Sequence, residues 1–195
     1  MPSEKPENLS KTDLTPFEYV HQTAIQKCLD VYQIALENGI KSIPDPTMVI
    51  SADTVIVTNT GKIIEKPRSE ADHIAMLKML RDQVSHKVYT AVVVLSPRED
   101  CRAPGYNMES AVEETKVVFD ETLGDAMIEA YVKTREATGM AGGYGIQGMG
   151  ALLVKRIDGS FDNVVGLPVR VTMGLMERCL FKQGSEAGSE DEDEE

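Results

Sequence analysis

Apolar positions fall into helical spacing soon after a polar start. Val20, Ala24, Cys28, Val31 and Ala35 lie on one stripe. Thr15-Pro16-Phe17-Glu18 stands before it. Thr15 can cap, Pro16 suits a first helical position, and Glu18 completes a capping box. Gly39 is a suitable stop. From Met48 to Val57 the pattern changes to a β-branched run, which predicts a strand. Asn59-Thr60-Gly61 marks a turn, so residues 62–65 are expected to pair back as a hairpin that Pro67 closes. Ser69 with Asp72 predicts a second helix with Ala71, Ile74, Leu77 and Leu80 on its inner stripe. Strands are predicted over Lys87–Leu95 and Glu109–Phe119, antiparallel to each other, with a loop over 97–107. A helix over about Leu123–Thr134, a strand over Ala151–Ile157 and a last helix over Pro168–Phe181 complete the chain. Strands and helices alternate without strict βαβ regularity, which predicts an α/β fold with a mixed sheet and flanking helices.

Composition narrows the picture. The chain has 195 residues, 42% of them apolar, enough for one domain with a sizeable core. Its net charge of −12 is uneven, because seven acidic residues and no basic one lie between Gly184 and Glu195. That stretch cannot offset its ordering entropy by burial, so 184–195 is read as a disordered acidic tail. Residues 1–14 are read as an irregular segment and 15–183 as the domain. No basic footprint suggests a nucleic-acid partner. Cys28, Cys101 and Cys179 are widely spaced, and His21, His73 and His86 show no ligand spacing. A polar N-terminus without an apolar core, and no apolar run of about 20 residues, point to a cytoplasmic protein with no membrane contact.

Few segments carry chemistry. Gly143-Tyr144-Gly145-Ile146-Gln147-Gly148 satisfies G-x-G-x-x-G, but a helix precedes it and a strand follows, the reverse of a dinucleotide site. The six glycines from Gly139 to Gly150 serve either a tight structural turn or close backbone approach to a ligand. Asp53 interrupts a run that otherwise reads as buried. A carboxylate there must be paired, hydrogen-bonded or set at a cleft, as a general base, as a metal ligand or as a simple turn residue. Lys66, on the return arm of the hairpin, can come near Asp53 or lie in solvent. Asn163 is either a hydrogen-bonding strut or a ligand contact.

In order, SADTVIV (51–57), GKIIEKP (61–67), HKVYTAV (86–92), EETKVVF (113–119), AGGYGIQGMGA (141–151) and NVVGLP (163–168) resemble the Maf family of nucleoside triphosphate pyrophosphatases. TPFEYVHQTAIQKC (15–28) is similar to that family's early helix, so the resemblance spans about residues 6–182. It implies a two-lobed α/β fold with a central cleft, and hydrolysis of a nucleoside triphosphate to the monophosphate and pyrophosphate with Mg²⁺ or Mn²⁺. Asp53 then corresponds to the proton acceptor and a metal ligand, and Lys66 and Lys27 to phosphate-binding lysines. Thr54 and Gln147 correspond to the residues of the branch that prefers dTTP and UTP, with Gly145 beside the ligand. Glu7 corresponds to a further acidic residue of the site.

Two departures accompany the resemblance. The family's first strand and its S-x-R-R segment have no counterpart here, so the fold is read as N-terminally truncated, with a homodimer covering the exposed edge. Gly139-Met140-Ala141-Gly142 stands where the family has D-K-A-G. An impaired, nucleotide-binding relative is therefore a second reading. A third makes the tail around Ser189 an interaction segment.

Overall fold

The computed structural model describes residues 9, 13–39, 46–98 and 104–187. Its elements are helix α1 (Pro16–Gly39), strands β1 (Val49–Val57) and β2 (Ile63–Ile64), helix α2 (Glu70–Asp82), strands β3 (Ser85–Pro97) and β4 (Tyr106–Phe119), helix α3 (Asp125–Lys133), strand β5 (Val154–Asp158), and helices α4 (Phe161–Val165) and α5 (Val169–Ala187). Short 3-10 turns occupy Ala141–Gly143 and Met149–Leu153. The second turn takes up the first part of the strand expected from Ala151.

Both expected capping signals form. The Thr15 amide donates to the Glu18 carboxylate at 2.9 Å, and the Glu18 amide donates to Thr15 Oγ1 at 3.2 Å. Ser69 Oγ accepts from the Asp72 amide at 3.1 Å. The inner stripe of α2 differs from expectation: His73, Leu77 and Leu80 are buried, whereas Ala71 is exposed. α4 is an unexpected single turn, closed by Gly166 in the left-handed region at φ 113°. α5 extends through Ala187, past the expected start of the tail at Gly184, and 188–195 lie outside the described residues.

The strand order is β2-β1-β3-β4-β5, and every pairing among the described residues is antiparallel. The expected mixed sheet is corrected here. β2, α2 and β3 make a crossover between two strands of like direction, but β1 lies between them and runs the other way. β3 is central and buried on both faces, which accounts for its continuous apolar run from Ala91 to Leu95. On one face Ala91, Val93 and Leu95 pack with Val20, Ala24 and Cys28 of α1. On the other, Val92 and Val94 meet Leu175 and Cys179 of α5, and Val88 joins Leu77, Leu80, Ile128 and Phe119 under α2 and α3.

Candidate active site

Successive side chains of a strand point to opposite faces. Asp53 thus shares the α1 face with Ser51 and Val55, while Thr54 shares the other with Ile56. β2 pairs with β1 only at Ile56 and Val57. A cleft of about 640 Å³ reaches both faces here, with Lys27, Asp53, Thr54, Lys66, Gly145 and Gln147 all in its wall. These six residues come from four separate segments of the sequence, around 27, 53–54, 66 and 145–147, and the fold brings them together. Glu7 lies outside the described residues.

α1 is fixed along β1 by contacts that place Lys27. Ser51 Oγ donates to the Ala24 carbonyl at 2.7 Å, and the Cys28 thiol donates to the Val49 carbonyl at 3.7 Å. Burial pushes the Cys28 thiol up to about 11, so it acts as a small apolar side chain. Lys27 Nζ then lies 2.6 Å from Asp53 Oδ1, with the Asp53 side chain only 11% exposed. A carboxylate that far from water needs such a partner.

The glycine segment is held by three long-range contacts. His73 Nε2 donates to the Gly143 carbonyl at 2.5 Å. His86 Nε2 meets the Tyr144 hydroxyl at 2.7 Å, inside an edge-to-face cluster with Phe119. Burial lowers His86 to about 4, so the ring is neutral at physiological pH, and burial also raises the Tyr144 hydroxyl. Third, the Glu136 carboxylate accepts from two successive backbone amides, Met149 at 2.8 Å and Gly150 at 3.0 Å. Those two amides, Gly150 first, hold the Glu136 carboxyl below the usual range. Gln147 sits on the loop so clamped. Sequence reasoning missed Glu136, which carries no motif signal beyond its place in the wall of the cleft.

At two positions of the glycine segment the structural reading holds rather than close approach to a ligand. Gly142 and Gly143 have φ of +69° and +71°, and a Cβ would stand 2.2 Å from Ile56 Cδ1 and 2.6 Å from the His73 ring respectively. They pack against the protein's own core. Gly145 does line the cleft, although a Cβ there would also meet Met140 Sδ at 2.9 Å.

Asn163 is a strut. It is fully buried, donating from Nδ2 to Thr115 Oγ1 at 2.8 Å and to the Val88 carbonyl at 3.3 Å. This ties α4 to the two middle strands and holds Gly166 against Thr54.

The family model for Maf-like protein matches residues 1–179. The chain belongs to the Maf family. The protein named dTTP/UTP pyrophosphatase in Schizosaccharomyces pombe is 47% identical over 178 residues, which is 90% of this chain and 71% of that one. One of the same name in Clostridium botulinum is 39% identical over 163 residues, 84% of this chain and 78% of its own. A human protein named as a probable bifunctional dTTP/UTP pyrophosphatase/methyltransferase is 38% identical over 174 residues, covering 87% of this chain and 26% of its own. Within this Maf chain no described helix is long and apolar enough to cross a membrane.

No cluster of three His, Cys, Asp or Glu side chains stands ready for a metal ion among the described residues. Mg²⁺ characteristically uses only one or two carboxylates and takes its other ligands from water and substrate phosphates. Asp53 in the cleft wall fits that pattern.

Proposed function

We propose that this chain hydrolyses dTTP and UTP to the monophosphate and pyrophosphate. The observation that carries the reading is the convergence of Lys27, Asp53, Lys66, Thr54 and Gln147 on one cleft. Relatives that match over most of their length and bear the name dTTP/UTP pyrophosphatase support it. In this reading the cleft divides the fold into two lobes.

Asp53 orients a water against the α-phosphorus and takes its proton. The new P–O bond forms as the bond from the α-phosphorus to the bridging oxygen breaks, and pyrophosphate leaves with that electron pair. Lys27 and Lys66 offset charge developing on the phosphates. Asp53 would hold a divalent ion, which would supply Lewis-acid charge neutralisation. Gln147, on the loop clamped by Glu136, reads the base with an amide that both donates and accepts. Thr54 meets the base from the sheet.

Pyrophosphate release from a panel of nucleoside triphosphates with Mg²⁺ or Mn²⁺, beside Asp53→Ala, tests the reading. Turnover confined to pyrimidine nucleotides and lost in the variant is expected. Full turnover by Asp53→Ala would refute the assignment.

One observation favours the second reading, nucleotide binding without turnover. Met140 stands in the cleft wall at the position of the lysine in the family's D-K-A-G pattern. It adds no positive charge for a phosphate. Tight binding of UMP by folded protein that releases no pyrophosphate from UTP would select it.

A further inference from the structure

Thr54 and Thr90 are direct cross-strand partners, with their hydroxyl oxygens 3.0 Å apart. Either oxygen can donate in that contact taken alone. The next bond removes the choice. Thr90 Oγ1 also lies 2.9 Å from the carbonyl oxygen of Asn163, which can only accept. Thr90 has one hydroxyl proton, and it goes to that carbonyl. Were it turned to Thr54 instead, two lone-pair-bearing oxygens would face each other inside a fully buried site. The Thr54–Thr90 bond is therefore donated by Thr54. Its proton is spent inward, and only lone pairs remain to face the cleft.

We propose that Thr90 is a specificity-determining positioning residue: it fixes the Thr54 hydroxyl as an acceptor for a base N–H, which in thymine and uracil is the imide N3–H. This rests on the nucleotide reading of the cleft and adds the polarity of its base contact. The relay is rigid for stated reasons. Thr90 and Asn163 are both fully buried. Asn163 is held by its own bonds to Thr115 and Val88. A Cβ at Gly166 would stand 3.3 Å from Thr54 Oγ1, so a side chain there would press on the hydroxyl and glycine leaves it room. A nucleobase presenting a lone pair or a methyl at this point meets an oxygen that cannot turn to donate.

The test compares UMP with N3-methyl-UMP, which lacks the imide proton, by titration calorimetry. Binding is measured on the native chain, Thr90→Ser and Thr90→Val. Kinetics with UTP and N3-methyl-UTP run in parallel. The native chain and Thr90→Ser are expected to prefer UMP by about tenfold or more, and Thr90→Val to narrow that ratio about tenfold. Equal binding of UMP and N3-methyl-UMP by the native chain overturns the inference. So does a Thr90→Val ratio equal to that of Thr90→Ser. Should Thr90→Val fail to melt cooperatively, Thr54→Val takes its place, and an unchanged ratio there overturns the inference equally. UMP discrimination without pyrophosphate release from UTP would remove the hydrolytic reading and leave this one standing.

Discussion

Lys27 Nζ lies 2.6 Å from Asp53 Oδ1, joining helix α1 to strand β1 across 26 residues of sequence. The pair sits in the wall of a cleft rather than in open solvent, and its geometry sets the first prediction. Asp53→Asn should lower kcat for UTP by about a hundredfold or more, the scale that the proposed role of Asp53 as general base requires. Lys27→Met should lower kcat/KM by about tenfold to a hundredfold while Asp53 stays in place. Steady-state pyrophosphate release reads both. A Lys27→Met variant with native kcat/KM would show that the ammonium serves only to hold the helix.

His86 makes the fold sensitive to acid. Its side chain is fully buried and burial lowers it from 6.5 to about 4. The unfolded chain therefore takes up a proton at a higher pH than the folded one. The stability due to the neutral ring is full above about pH 6.5 and is lost progressively as pH falls toward 4. This loss is on the order of 3 kcal/mol at its limit. Melting temperature should fall across that window in the native protein. His86→Gln should be less stable at pH 7 and show a flatter profile between the same limits.

Glu136 clamps the loop that carries Gln147. Its carboxyl is held low by the amides of Gly150 and Met149, so the clamp persists above the ordinary carboxylate range and loosens as pH falls below it. Glu136→Ala should raise KM for UTP more than it lowers kcat, and lower the melting temperature only modestly because the carboxylate is half-buried and bonds one loop. Equal loss in kcat and KM-independent inactivation would place Glu136 in the chemistry instead.

Two glycines with positive φ should respond differently to alanine. At Gly143 a Cβ would stand 2.6 Å from the His73 ring, whereas at Gly61, with φ +84°, it would meet nothing within 4 Å. Gly61→Ala should cost about 1 kcal/mol, from backbone strain alone. Gly143→Ala should cost about 2 kcal/mol more, since His73 must leave its bond to the Gly143 carbonyl. Urea denaturation of the two variants separates the effects.

Local grammar was legible in the sequence because its causes are local. Thr15 with Glu18 and Ser69 with Asp72 cap helices through bonds three residues long. The β-branched run to Val57 and the buried run from Ala91 to Leu95 specify strands by shape and hydrophobicity. The order of the short motifs sufficed to name Lys27, Asp53, Thr54, Lys66, Gly145 and Gln147, and all six line one cleft. Sheet direction was not legible, because β1 inserts between β2 and β3, and no short-range signal encodes that order.

The tertiary structure alone decided the rest. Gly142 and Gly143 are glycines because Ile56 and His73 occupy the space their side chains would fill, and those neighbours are far away in sequence. Glu136 became a clamp only when the chain folded back onto it. The acceptor polarity of Thr54 needed both Thr90, its partner across the sheet, and the carbonyl of Asn163, 73 residues beyond Thr90. A hydroxyl can point either way until its neighbours leave it one direction, and a sequence records residues without those neighbours.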